Sequence, residues 1–224
     1  LMFFKNKIKK FLLRFFFSEN YLITFLIRKP INTWILSNFP YENFSLKAAK
    51  IWKDQSEYKI DYYKETNSIY VKNFINYLLE VTNKKDTVLD ICCNQGRFLK
   101  KLHQNGYRSL LGVDIMKDAI NDLYQSKEYK SGGISAELNM AQDYLLAMDD
   151  NSIDYAITYS ATIELFHPGF NIFGEIYRIT RKGFIFALSE NSHAFPRFYR
   201  FLIKSNNFKL ISTIKYNKNL TLIH

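Results

Sequence analysis

The chain has 224 residues, 47% of them apolar and 23% charged, with only 8 Gly and 4 Pro. It can bury a sizeable core in one or two domains, and the composition excludes disordered, collagen-like and low-complexity classes. The net charge of +10 invites a nucleic-acid reading until its position is examined.

The charge is front-loaded. Residues 1–30 hold seven basic residues against Glu19 alone, which is +6 of the +10. The same stretch holds eight aromatic rings, among 20 Phe and 16 Tyr in the whole chain. On a helix, Phe4, Ile8, Phe11, Leu12, Phe15 and Phe16 share one face, with Lys7, Lys10 and Arg14 toward the other. Residues 1–17 thus read as a basic amphipathic helix. Three occupants suit it: an anionic membrane surface, the chain's own domain, or a second copy in a homodimer. No apolar run approaches the roughly 18–20 residues of a membrane crossing. Nucleic acid is disfavoured, because the extra charge is fused to Phe-rich faces and no Gly- or Arg-rich groove accompanies it. A second apolar segment, 21–27, is expected to stop at Arg28-Lys29-Pro30.

Helices are expected over 44–59 and 69–81, from apolar spacing near 3.6. From residue 87 the rhythm changes. Strands are expected at 87–91, 110–114, 134–139, 153–158 and 184–188, with helices at 97–104, 118–126, 170–179 and 195–205. Arg181-Lys182-Gly183 reads as a stop between helix and strand. Segments 210–215 and 220–223 read as two final strands. Strands alternating with helices of this size predict βαβ units and a mostly parallel sheet. The domain reading is a helical extension or cap over 1–69 and an α/β domain over 70–224.

In such sheets, ligands sit beyond the carboxyl ends of the strands where strand order reverses. The segment Val88–Phe98 reads as strand, tight loop and helix, and Asp114 ends the next strand. An acid there can accept bonds from both ribose hydroxyls. A nicotinamide dinucleotide motif needs three glycines, and this loop has Gly96 alone. Asp90 would face a pyrophosphate with like charge, so it suits a cationic ligand better. The adjacent Cys92 and Cys93 form neither a disulfide framework nor a zinc site, which favours a reducing, cytoplasmic compartment.

These residues resemble the class I S-adenosylmethionine-dependent methyltransferases. The family's first motif reads roughly Asp-x-Gly-x-Gly-x-Gly, against Asp90-Ile91-Cys92-Cys93-Asn94-Gln95-Gly96 here. Asp143 resembles the acid near the adenine. Asp150-Asn151-Ser152-Ile153-Asp154 resembles the Asp-x-Ser-Phe-Asp lead into the fourth strand. Glu175–Ile179 with Lys182-Gly183, and Asn207–Leu210, resemble later family segments, so the likeness covers about 70–224. It implies a Rossmann-like, mostly parallel seven-stranded sheet with helices on both faces, and S-adenosyl-L-methionine as cofactor. By resemblance, Asp90 and the Cys92, Cys93, Asn94 and Gly96 backbone would hold the methionine end. Asp114 would hold the ribose, Asp143 and Tyr144 would flank the adenine, Ile115 would be a further cofactor contact, and Ser160 and Ala161 would line the loop after the fourth strand. Cys92 and Asn94 replace the first two family glycines, so a non-catalytic or membrane-associated binding protein of the same fold stays open.

The acceptor side is read from absence and reach. The Asn/Asp-Pro-Pro-aromatic signature of amino-directed nucleic-acid methyltransferases is missing from Tyr159–Glu164. His167 is a candidate general base for a hydroxyl, with Glu164 beside it in the same loop. Tyr62 and Tyr63 could close over the site as part of a lid. The aromatic front of the chain favours a small or lipid-like acceptor, with the protein peripheral on the inner face of a membrane.

Overall fold

The computed structural model describes residues 21–38, 68–160, 162–188, 195–215 and 221–224. The expected helices at 1–17 and 44–59, together with Tyr62, Tyr63 and Ala161, lie outside the described residues. Among the described residues no helix is long and apolar enough to cross a membrane.

Helix α1 runs over 21–38, as α-helix at Tyr21–Ile23, π-helix at Thr24–Arg28 and α-helix at Lys29–Asn38. The expected stop at Arg28-Lys29-Pro30 is therefore overturned. The Lys29 N–H bonds back five residues to the Thr24 carbonyl. That single widened turn resets the ladder, so Pro30 falls in the first turn of the new α-helical stretch. There a missing N–H costs little.

The remaining elements follow in order: α2 (Ile69–Val81), β1 (Val88–Ile91), α3 (Arg97–Gln104), β2 (Leu110–Asp114), α4 (Lys117–Gln125), α5 (Lys127–Lys130) and β3 (Ile134–Leu138). Next come α6 (Ala141–Ala147), β4 (Ile153–Tyr159), α7 (Ile172–Ile179), β5 (Thr180–Leu188), α8 (Tyr199–Ser205), β6 (Thr213–Lys215) and β7 (Thr221–Ile223). The seven strands lie in the order β3-β2-β1-β4-β5-β7-β6. β1 to β5 are parallel, and β7 runs antiparallel to both β5 and β6. This is the expected mostly parallel seven-stranded architecture.

Alternation along β1 feeds two cores. Val88 joins Phe74, Leu78, Leu99, Leu102 and Leu123 on the face covered by α2, α3 and α4. Leu89 and Ile91 join Leu145, Phe173, Ile176 and Leu202 on the face covered by α6, α7 and α8. Burial of both faces explains why these strands read as continuous apolar runs. Successive crossovers change face between β1 and β4, so strand order reverses there.

Two further local expectations are corrected, and two short helices, α5 and α6, gave no periodic signal in the sequence. The final helix begins at Tyr199 rather than Phe195, because Pro196 lies in the extended approach to it. β5 begins at Thr180, so Arg181-Lys182-Gly183 is strand rather than a stop. The reason is electrostatic. Arg181 grips Asp154 through two bonds of 3.1 Å, while Lys182 reaches Asp86 and, at 3.6 Å, Asp154. Asp154 also accepts the Thr87 N–H at 2.9 Å. These pairs lock the amino ends of β4 and β5 against β1, and so allow two cations to continue a strand.

The Arg181 bonds hold the Asp154 carboxyl at about 2, below its usual 3.8, against burial, which alone would raise it. A depressed folded-state pKa gives stability that is present above about pH 4 and lost as pH falls toward 2. Asp154→Asn is expected to cost roughly 1–2 kcal/mol in urea unfolding at neutral pH, after allowance for the exposure of Arg181. The difference from the parent chain should disappear near pH 2.

Candidate functional site

The site is built on the loop between β1 and α3, at the carboxyl edge of the sheet where strand order reverses. Cys92, Asn94 and Gly96 all take left-handed backbone, at φ 60, 50 and 68°. Glycine accepts this freely, Asn tolerates it, and a β-carbon residue such as Cys pays roughly 1–3 kcal/mol. The loop is tied down by its own backbone. Cys93 N–H donates to Val113 O at 3.0 Å, and Gly96 N–H to Cys93 O at 2.9 Å. At Gly96 a β-carbon would sit 2.7 Å from the Leu123 side chain, so substitution there meets both strain and collision. Cys93 is buried beneath the loop, with its sulfur 2.9 Å from where a β-carbon on Gly112 would lie.

Asp114, at the end of β2, organises the loop's other wall. One carboxylate oxygen accepts the Asn94 N–H and the other the Met116 N–H, both at 2.8 Å. Burial raises its pKa, and the bonds from Met116, Asn94 and Ile115 oppose that. These three donors leave the carboxylate one lone pair for a ligand hydroxyl.

Asp90 is the unusual residue. It lies on β1, only 2% exposed, and its Oδ2 has no hydrogen-bond partner. Burial pushes its pKa well above the carboxylate range, Arg97 pulls it down, and Asp114 raises it. A buried carboxylate with an orphan oxygen is costly unless a cation or donor completes it. This is the feature expected of a cradle for a cationic ligand. Cys92 is exposed at the loop surface, yet surrounding protein, Asp114 and Asp90 all push its thiol pKa up. At neutral pH it is a neutral wall, not a nucleophile.

The other expected cofactor residues are distributed around this loop. Ile115 and Tyr144 are half-buried, and Tyr144 is close enough to Glu137 and Cys93 for both to raise its pKa after burial does. Asp143 is exposed in the first turn of α6. Ser160, at φ 66°, is exposed at the end of β4.

The two expected catalytic residues have different surroundings. Glu164 is fully buried, and its backbone carbonyl accepts the Phe195 N–H at 2.9 Å. Its charge acts on buried Arg197, whose pKa burial lowers while Tyr199 and Glu164 raise it. Arg197 also donates to Phe166 O at 2.5 Å. Glu164 is thus an interior charge that acts on Arg197 at longer range, not a residue facing the loop surface. His167 is half-buried, and its Nδ1 accepts the Gly169 N–H at 3.0 Å. Burial, then Arg197, lower its pKa, so the ring is neutral with its proton on Nε2. In this arrangement His167 presents a donor, and its basic nitrogen is occupied.

Four residues escaped the sequence reading. Arg97 faces Asp90 and lies over Phe98 and Tyr159, 4.8 and 5.4 Å from the ring centres. Met116 supplies an N–H to Asp114, and buried Arg197 donates to the Phe166 carbonyl and lowers the His167 pKa. Thr158 donates to Ile91 O at 3.0 Å and binds β4 to the end of β1. Only Arg97 carried a signal, as the first residue after the loop glycine.

Residues 88–183 match the family model described as a methyltransferase domain. No curated protein matches the chain. Among solved structures, the PH0226 protein of Pyrococcus horikoshii OT3 shares 20% identity at a TM-score of 0.58, over 72% of this chain and 92% of that one. A SAM dependent methyltransferase from Aquifex aeolicus shares 14% at 0.53, over 74% and 97%. The magnesium protoporphyrin IX methyltransferase of Synechocystis PCC 6803, solved with bound SAM, shares 13% at 0.55, over 87% and 88%. With the β1 loop, the seven-stranded order and the family match in agreement, residues 88–183 form a methyltransferase domain on a Rossmann-like fold, with S-adenosylmethionine as its cofactor.

Proposed function

We propose that this methyltransferase acts on an oxygen of a small or lipid-like acceptor, at the cytoplasmic face of a membrane, with residues 1–17 on anionic lipid. The observation that carries the reading is the orphan Oδ2 of buried Asp90, which gives the cofactor's cationic end its counter-charge. When bound, S-adenosylmethionine supplies an electrophilic methyl group on a sulfonium.

The chain's own residues do the rest. Asp90 and the backbone from Cys92 to Gly96 would hold the methionine end. Asp114 would accept from the ribose with the lone pair that the Asn94, Met116 and Ile115 N–H groups leave, and Ile115, Tyr144 and Asp143 would flank the adenine. Ser160 would border the transfer point. On the acceptor side, Nε2–H of neutral His167 orients an acceptor oxygen by donation. It can take a proton only after the Gly169 bond to Nδ1 opens. That favours an acceptor oxygen needing little help from a base, such as a carboxylate or an acidic hydroxyl. Lining of this kind leaves placement and desolvation as the main sources of rate.

Two outcomes test the reading. Asp90→Asn keeps the side chain's shape and removes its charge. It is expected to stabilise the ligand-free protein by on the order of 1–2 kcal/mol at neutral pH, since ionising Asp90 is unfavourable there. It should also weaken S-adenosylmethionine at least tenfold in calorimetry. For the acceptor, methyl-labelled S-adenosylmethionine is incubated with separate lipid, polar-metabolite and RNA fractions of a cell extract. Label is expected as O-methyl groups in the lipid or small-molecule fraction. Label in RNA, or on nitrogen or carbon, would overturn the acceptor assignment.

A further inference from the structure

Helix α1 is inside-out. Over residues 22–34 the polar Thr24, Arg28, Lys29 and Asn32 are buried, while Leu22, Phe25, Leu26, Ile31 and Trp34 are exposed, Leu26 by 63% and Trp34 by 57%. Only at its end does the helix turn Leu36 to the core and Ser37 and Asn38 to solvent. A surface helix of a water-soluble domain shows the opposite polarity. The buried side is anchored by polar contacts. Asn32 Nδ2 donates to Pro196 O at 2.8 Å, and Lys29 Nζ lies 5.7 Å from the Phe198 ring centre. The π-turn keeps the exposed residues in one stripe. From Leu22 to Leu26 the step is four residues, from Leu26 to Ile31 it is five across the widened turn, and from Ile31 to Trp34 it is three. Without the extra residue, Pro30 and the residues after it would rotate out of line.

The stripe continues onto α8. Phe201 is exposed beside it, and Trp34, Pro30, Phe198, Arg200 and Phe201 line a shared groove of about 630 Å³. The charge around it has one sign. Residues 21–38 and 195–209 contain no Asp or Glu, while Arg200, Lys204 and Lys209 are exposed. Two copies of such a face would bring like charges together with no acid to pair them. Anionic headgroups would neutralise the cations while the acyl boundary takes the Leu, Phe and Trp side chains.

We propose that the exposed face of α1, with Phe201 and Arg200 of α8, is an interfacial surface that seats the protein on an anionic lipid bilayer. It rests on the described face alone, and holds whether or not the acceptor is a lipid.

The test uses the full chain and vesicles of phosphatidylcholine with and without phosphatidylserine. Co-sedimentation is expected to be at least tenfold stronger on the anionic vesicles and to weaken with salt. In a Trp52→Phe background, lipids brominated along the acyl chain should quench Trp34. Leu26→Glu and, separately, Arg200→Glu should each weaken vesicle binding severalfold to tenfold, while calorimetry shows S-adenosylmethionine binding unchanged, so the fold is intact. The proposal is overturned if neither vesicle type binds, or if Leu26→Glu binds vesicles as the parent does. It is equally overturned if the parent is a dimer that Leu26→Glu splits while vesicle binding stays the same.

Discussion

A carboxylate buried at the reversal of strand order, with one oxygen left without a partner, sets the terms for the rest of this protein. Asp90 sits on a strand hydrogen-bonded on both sides, to β2 and to β4, so it cannot retreat toward water. Desolvation opposes its charge, and Arg97 only partly offsets that. The fold therefore holds an unfavourable group at one defined point, which a cationic ligand relieves. The β1 loop is shaped to let such a ligand approach. Three left-handed residues turn the backbone sharply, and Asp114 clamps the turn through the Asn94 N–H. Preorganisation of this kind costs stability in the free protein and returns it on binding.

The opposite wall of the site depends on a second buried charge, that of Arg197. Its segment does two things at once. Phe195 N–H bonds the carbonyl of Glu164 in the loop after β4, and Pro196 O accepts from Asn32 of α1. One short stretch, 195–198, thus links the acceptor side of the cleft to the inside-out helix. On the proposed bilayer contact, a lipid-like acceptor would leave the membrane beside the loop that receives it. Arg197 in the same stretch is buried, donates one guanidinium N–H to the Phe166 carbonyl, and feels the Glu164 charge at longer range.

Much of the fold was legible because both faces of the sheet are covered. The strands at 88–91 and 110–114 and the helices at 69–81 and 97–104 were readable from apolar runs and 3.6-residue spacing alone. What failed were places where a distant partner decides. Arg181 and Lys182 look like a helix stop until Asp86 and Asp154, far away in sequence, neutralise them within a strand. Pro30 looks like a terminator until a π-turn shifts the ladder by one residue. In the site, Asp90 and Asp114 were legible as acids at strand ends. The orphan oxygen was not, because it depends on what the neighbouring strands fail to offer. His167 was legible as a titratable group, but its tautomer is set by Gly169, two residues on. The front-loaded charge pointed to a basic amphipathic segment at 1–17, suited to a membrane, to the chain's own domain or to a second copy. The described helix beyond it shows a surface of the same character that spacing alone did not reveal, because the π-turn breaks the periodicity.

The central claim is that S-adenosylmethionine binds by completing the charge of Asp90. A cation beside a carboxyl whose pKa is raised must pull that pKa down, so binding at mildly acidic pH must expel a proton from it. Calorimetry of S-adenosylmethionine binding in buffers of differing ionisation enthalpy counts that proton. The account predicts net proton release from the parent chain and its loss in Asp90→Asn. Equal proton release from both proteins, or none from either, would contradict it.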